Sequence, residues 1–313
     1  MIEVRSLTKN YGARKAIENL NFSVKKGEVV GFLGPNGAGK TTTMKIITGF
    51  MAASSGSVQV AGFDVFESPI EVKKRIGYLP ETPPVYGDMR VNEYLRFVAE
   101  LKGVEKSRIS SLVDRAIEKT DLGSVSKRLI QNLSKGYRQR VGISQALVSD
   151  PEVLILDEPT VGLDPRQVAE IRSVIKELAG QHTIILSTHI LPEVQASCER
   201  IIIINQGHIV AQDTIAGIST RTMNSTKVHL RVLRPSDELL MNLQSLSGVR
   251  SAQKSVAGHY EIETNSSESI PQEIAALVIQ KNSGLLEIRS ETSNLEDVFL
   301  KLTSSEETQG AQL

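Results

Sequence analysis

Gly34-Pro35-Asn36-Gly37-Ala38-Gly39-Lys40-Thr41 has the spacing G-x-x-x-x-G-K-[ST], a loop that cradles nucleotide phosphates. Its glycines let the backbone bend so that several N–H groups aim at an anion. Lys40 supplies a point charge for the β- and γ-phosphates, and the Thr41 hydroxyl is suited to hold Mg²⁺. Thr42 follows in the same turn and joins the ATP-binding set. Glu28 to Leu33 (EVVGFL) reads as a short buried strand, and Thr41 to Thr48 as the start of a helix. A helix N-terminus placed there adds positive dipole to the anion site.

A second group lies downstream. Val153-Leu154-Ile155-Leu156-Asp157-Glu158 is an apolar strand that ends in two carboxylates. Asp157, where the strand emerges, suits the Mg²⁺ shell beside Thr41. Glu158 is the natural general base or water-orienting group for hydrolysis. In Leu133-Ser134-Lys135-Gly136-Tyr137, Ser134 is a helix N-cap candidate before a long helix. The exposed N–H groups of that helix would make a second anion site. One chain cannot easily close both sites on one phosphate. The economical reading has Ser134 and Gly136 of one copy meeting the γ-phosphate held by another. Taken alone, LSKGY is equally a plain N-cap with a basic turn.

These residues need a scaffold. Residues 1 to about 220 alternate β-rich runs with helical stretches. Strands are expected at Ile2–Arg5, Phe22–Val24, Val29–Leu33, Ser57–Val60, Ile76–Leu79, Val153–Leu156, Thr183–Ser187, Arg200–Ile204 and His208–Gln212. Near-continuous apolar runs such as VLIL and TIIL suit parallel strands buried on both faces. Between about 91 and 149 the pattern is helical, over Val91–Lys102, Ser107–Thr120 and Ser134–Val148. A helical subdomain is thus inserted into an α/β core. Residues 217–226 (GISTRTMNST) read as a linker. Beyond it, 221–304 carries the order strand, helix, strand, strand, helix, strand, which is a split βαβ, ferredoxin-like α+β domain. A last helix, Asn294–Thr303, follows with Asn294 as N-cap, and 305–313 reads as a disordered tail.

Composition sets outer bounds. The chain has 313 residues, 40% hydrophobic and 23% charged, enough for about two globular domains. Thirty-six basic residues balance 36 acidic ones, so nothing argues for a nucleic-acid partner. The single cysteine, Cys198, excludes an intrachain disulfide and reads as an ordinary semi-buried thiol. The N-terminal residues do not form a signal peptide. No apolar run approaches the roughly 20 residues a membrane-spanning helix needs. If the chain serves transport, the pore belongs to another subunit.

With these residues in view, the chain resembles the ATP-binding subunit of an ABC transporter, a P-loop NTPase with an ABC core. Gly34–Thr41 resembles the Walker A motif of that family, Leu133–Tyr137 its signature and Val153–Glu158 its Walker B. Gly162-Leu163-Asp164 is similar to the D-loop, with Asp164 at the dimer contact, and His189 in Ser187-Thr188-His189 to the switch histidine. Tyr11 resembles the aromatic that stacks on adenine. The motifs stand in the family's order over residues 1 to about 215. Two positions depart from it. Where the family usually has Gln near Mg²⁺ and the attacking water, this chain has Glu81, and the signature ends in Tyr137 rather than Gln. Both departures, and the tail Asn294–Leu300, resemble the ABC-2-type exporter group, which includes gliding-motility and multidrug ATP-binding proteins.

The resemblance implies a dimer, with a second copy or a paralogous ATPase subunit, that sandwiches two ATP and Mg²⁺ between opposed motifs. Closure and hydrolysis would drive an integral membrane permease, an exporter, from the cytoplasmic, inner face of the cell membrane. The stretch Thr82–Arg90, with Tyr86 and Met89, suits a docking surface for it. The alternative is a soluble ABC-type ATPase acting on a non-membrane partner. Co-purification of a multispanning membrane protein separates the two.

Overall fold

Alternation of buried and outward residues, offset by irregularities after Val4 and after Leu7, opens the chain. Ile2, Val4 and Leu7 of β1 (Ile2–Tyr11) and Ile17, Leu20, Phe22 and Val24 of β2 (Arg14–Val24) are all buried. Both strands run well beyond the expected segments, because a tight turn at Gly12-Ala13 closes them into one antiparallel hairpin. In this computed structural model the described residues are 1–222, 226–255, 258–264, 269–292 and 299. The chain divides into two compact units, Met1–Ile215 and Ala216–Leu313.

The first unit holds two sheets. After β3 (Val29–Leu33) and α1 (Lys40–Ile47), β4 (Ser55–Val60) and β5 (Phe63–Asp64) join the hairpin in the antiparallel order β2-β1-β4-β5. Helix α2 (Pro69–Arg75) then leads into β6 (Ile76–Leu79). Next come the helices α3 (Val91–Leu101), α4 (Lys106–Lys119) and α5 (Lys135–Leu147), with no strand between them. Their apolar stripes, such as Val91, Leu95 and Val98 on α3, face inward at helical spacing. The chain continues through β7 (Val153–Asp157), α6 (Pro165–Leu178), β8 (Thr183–Thr188), α7 (Leu191–Ser197), β9 (Arg200–Asn205) and β10 (His208–Thr214).

The second sheet has the order β10-β9-β3-β8-β7-β6. All neighbours are parallel except β10 and β9. Each residue of β3, β7 and β8 is buried, as strands covered on both faces require. Register decides the rest. Leu33 pairs with Thr188, Asp157 with Ser187, and Leu79 with Leu156. The loops after β3, β6, β7 and β8 therefore leave the carboxyl edge of the sheet side by side, where open α/β sheets bind ligands.

Helix α8 (Ile215–Thr222) starts at the last residue of the first unit and runs into 217–226, where a linker was expected. Ile218 is buried, so packing of its apolar side overrides the Ser/Thr-rich composition. Then follow β11 (Thr226–Val232), α9 (Asp237–Gln244), β12 (Val249–Lys254), β13 (His259–Thr264), α10 (Ile270–Gln280) and β14 (Leu285–Thr292). The order β12-β13-β11-β14 is antiparallel throughout. Its own core includes Val228, Leu230, Tyr260, Ile262, Leu239 and Ile274. Ser236 caps α9 by accepting from Leu239 N–H, and the Tyr260 hydroxyl donates to Ser236 O. The expected last helix, Asn294–Thr303, and the tail 305–313 lie outside the described residues, apart from Phe299. Among the described residues no helix is long and apolar enough to cross a membrane.

Candidate active site

The loop between β3 and α1 is shaped by contacts that only glycine tolerates. Gly39 sits at φ 107°, and a Cβ there would stand 2.5 Å from Ile17 Cγ2 and 2.9 Å from Ala16 O. A Cβ at Gly34 would stand 2.3 Å from Ile204 O. The loop thus lies directly on β2 and β9, and α1 starts at Lys40 with Gly39 as its N-cap and no side-chain cap. Lys40 Nζ donates to Gly34 O at 2.8 Å and to Pro35 O at 3.2 Å. It also stands 3.3 Å from Glu158 Oε1.

Glu158 follows β7 with φ at 49°, a left-handed conformation that a non-glycine residue adopts at a cost. Its N–H donates to Ser187 O at 2.8 Å, which fixes the turn against β8. The carboxylate is 6% exposed as a residue, yet its Oε2 accepts from His189 Nδ1 at 2.8 Å. Lys40, Glu158 and His189 are therefore joined in one row, drawn from three adjacent strand ends.

Asp157 is fully buried, and neither carboxylate oxygen has a hydrogen-bond partner. Burial pushes its pKa up; the nearby Ser187 and Thr41 hydroxyls oppose that shift, and the charges of Glu158 and Glu81 add to it. Two orphaned anionic oxygens, with the Thr41 hydroxyl beside them, form a hard oxygen donor set that fits Mg²⁺. Glu81 is exposed on the loop after β6 and faces the same cleft.

That cleft has a volume of about 850 Å³. Of the expected residues, Tyr11, Asn36, Gly37, Gly39, Lys40, Thr41, Thr42, Glu81, Glu158 and His189 line it. Gly34, Pro35 and Ala38 build the loop from behind. Tyr11 is 48% exposed at the hairpin tip, with the Lys9 ammonium 5.6 Å from its ring centroid. Arg14, Lys15 and Gln206 also line the cleft and were not singled out in the sequence. Their signal was present in part: a turn at Gly12-Ala13 brings Arg14 opposite Tyr11.

Ser134, Gly136 and Asp164 do not line the cleft. Ser134 caps α5 by accepting from Tyr137 N–H at 3.3 Å, and Asp164 caps α6 by accepting from Gln167 N–H at 2.9 Å. A Cβ at Gly136 would stand 2.7 Å from the Gln167 amide, so the two helix starts pack on one another. Ser134 and Asp164 are exposed at these helix starts, whereas Gly136 is buried beneath the Gln167 side chain. Cys198 is buried, which pushes its thiol up to about 12.

The family model described as ABC transporter matches residues 17–161. The uncharacterized ABC transporter ATP-binding protein YhcH of Bacillus subtilis (strain 168) is 34% identical, over 99% of each chain. The bacitracin transport ATP-binding protein BcrA of Bacillus licheniformis is 32% identical, over 96% of this chain and 97% of its own. A solved ATP-binding subunit of an ABC transporter superposes with a TM-score of 0.65 at 31% identity, over 71% of this chain and 92% of the other. With relatives 34% and 32% identical along nearly the whole chain, and a solved subunit of like fold over 71% of it, the chain belongs to the ATP-hydrolysing, ATP-binding subunits of ABC transporters.

Proposed function

We propose that the cleft holds Mg-ATP, with Glu158 as the base and His189 and Lys40 flanking it, and that hydrolysis drives a separate membrane permease. The observation that carries this reading is the row Lys40–Glu158–His189. An almost fully buried carboxylate is held between an ammonium and an imidazole at the mouth of a phosphate loop. Phosphate oxygens compete for the Lys40 ammonium and so free Glu158 Oε1 to accept a proton from water. His189 keeps Oε2 in place. The backbone N–H groups of the loop and the start of α1 stabilise charge on the phosphates. We assign Tyr11 at the hairpin tip to the adenine ring; Arg14 and Lys15 line the cleft with it.

Asp157, Thr41 and Glu81 would hold Mg²⁺, which supplies charge neutralisation at the β- and γ-phosphate oxygens. Among the described residues no group of three or more His, Cys, Asp or Glu is arranged to hold a metal. The remaining ligands are then phosphate oxygens and water, as Mg²⁺ prefers.

We assign the exposed Ser134 and Asp164, with Gly136 beneath the Gln167 side chain, to the half-site offered to another copy or a paralogous subunit. Closing it on the partner's ATP makes the dimer depend on nucleotide. The permease partner is supported by a second, apolar cleft of about 560 Å³ lined by Ile70, Tyr86, Tyr94, Phe97 and Leu101, with Lys73, Lys74 and Lys102 around it. Tyr86 of the Thr82–Arg90 stretch packs edge-on against Tyr94 at 6.0 Å. We assign this groove to a helical segment of the permease, and we assign the chain to the inner face of the membrane. The printed name of BcrA ties that relative to bacitracin transport. For this chain we carry over a transport role, with export as its direction.

The test is Glu158→Gln, which keeps shape and one acceptor but removes the base. Turnover falls about 10²-fold or more, while ATP still binds and the variant collects as an ATP-bound dimer in gel filtration. Unchanged turnover would remove Glu158 from the reaction.

A further inference from the structure

Glu193 is 2% exposed in the first turn of α7, and each of its oxygens is taken by one threonine hydroxyl. The Thr160 hydroxyl donates to Oε1, and the Thr188 hydroxyl donates to Oε2 at 2.9 Å. Both threonines are themselves buried. Thr160 lies two residues after Glu158, and Thr188 lies one before His189. A buried carboxylate is expensive wherever an apolar side chain would pack as well, so its two donors in adjacent motifs call for an explanation.

The backbone supplies one. Val161 N–H donates to Glu158 O and Leu163 N–H to Thr160 O, so Thr160 is the pivot of the turn between Glu158 and the Gly162-Leu163-Asp164 loop. Gly34 N–H donates to Thr188 O, so Thr188 also anchors the start of the phosphate loop. Ile190 N–H donates to the Thr188 hydroxyl oxygen at 3.1 Å, which turns the chain at His189. One carboxylate thus spans the roots of the phosphate loop, the Glu158 turn and the His189 turn.

We propose that Glu193 is a positioning residue for hydrolysis: through Thr160 and Thr188 it holds Glu158 and His189 in register with each other and with the loop that carries Lys40. This rests on the reading of Glu158 as the base. Glu193 touches neither the cleft nor the phosphate loop side chains, so it acts on the geometry of the reacting groups and not on nucleotide contact.

The test is a cycle of Glu193→Ala and Glu158→Gln in the full chain, with turnover, ATP affinity and thermal melting measured together. Losing the tie lets the base drift by a fraction of an ångström to about an ångström, and kcat falls roughly 10- to 100-fold with KM changed less than about threefold. Glu193→Gln keeps one acceptor oxygen and the shape, and it recovers kcat to within about fivefold. In the Glu158→Gln background Glu193→Ala costs almost nothing further, because the group it positions is gone. Should Glu193→Ala fail to fold, Thr160→Ser against Thr160→Val makes the same comparison, with Ser near wild type and Val reduced. An unchanged kcat, a loss confined to KM, or an equal fractional loss in both backgrounds overturns the positioning role. If Glu158→Gln alone leaves turnover unchanged, the base reading and this proposal fall together; if it lowers turnover and the losses are additive, this proposal alone falls.

Discussion

Lys40 Nζ and Glu158 Oε1 form an ion pair of 3.3 Å between side chains that are 6% and 7% exposed. At that depth neither charge is well solvated by water, so each is held by fixed partners. The ammonium gives its other hydrogen bonds to two carbonyls of its own loop, and the carboxylate gives its second oxygen to His189. The chemical row and the fold are therefore coupled: disturbing one member changes both stability and reaction.

Lys40→Ala shows that coupling directly. It removes the phosphate-neutralising charge, so ATP affinity falls sharply and turnover is lost. It also leaves Glu158 buried beside an imidazole with no ammonium, which costs about 3 kcal/mol on the scale of a broken buried pair. Adding Glu158→Gln in that background recovers part of this loss, whereas the same change in the wild type does not stabilise. Denaturant titration of the four proteins, with calorimetric ATP binding, checks both halves. Near-normal ATP affinity in Lys40→Ala contradicts the site.

Much of this arrangement was legible in the sequence because motif residues sit at strand ends. Apolar runs such as Val153–Leu156 announce buried parallel strands, and the residue after such a run must emerge at the sheet edge. That is how Asp157 and Glu158 were readable without coordinates, whereas His189 was reached only through the resemblance to the family. Arg14, Lys15 and Gln206 were not, because their entry into the cleft depends on where a hairpin tip and a β-turn fall in space. Glu193 was hidden for another reason. A Glu in a helical stretch reads as solvent-facing, and only the packing of α7 shows it pointed inward at two threonines. At 217–226 composition pointed to a linker, but helix α8 (Ile215–Thr222), with Ile218 buried, runs into that stretch.

Asp157→Asn separates stability from activity. The folded-state pKa of Asp157 is raised by burial, so the ionised form is the disfavoured one. The favourable contribution of the neutral acid is complete below the ordinary aspartate range. It is lost as pH rises through the raised folded value, and it stays lost at neutral pH. In Mg²⁺-free buffer the melting temperature of Asp157→Asn relative to wild type should therefore increase from acid to neutral pH. Turnover in Mg²⁺ is abolished in the same variant. A constant difference in melting temperature across that range refutes the buried charge as its cause.

Glu81→Gln places the family's usual residue on the loop after β6. Glu81 faces the cleft, and its charge adds to the cost of ionising Asp157. Removing it takes one negative charge from the neighbourhood of the metal. The Mg²⁺ concentration for half-maximal rate should rise about two- to fivefold, the size of a partly screened charge contact. The maximal rate at saturating Mg²⁺ is retained or increased. A Mg²⁺ titration that superposes on the wild type makes Glu81 a loop carboxylate with no role in the site.

The apolar groove gives the test of the partner. Tyr86 and Leu101 are 52% and 71% exposed, so shortening them disturbs little of the core. Neither lines the ATP cleft. The double substitution Tyr86→Ser and Leu101→Ser should keep isolated ATP turnover within about twofold and stability within about 0.5 kcal/mol per site, as surface changes do. Burying two such side chains against a permease helix is worth about 3 kcal/mol, on the order of 10²-fold in affinity. Co-purification with the permease from detergent extracts should then be lost. Leu233, exposed to 64% in the second unit, gives the control, and Leu233→Ser should keep the complex. Wild-type yield of complex with the double variant would move the docking site elsewhere. Parallel loss of ATP turnover would instead show that the groove residues support the cleft of their own chain.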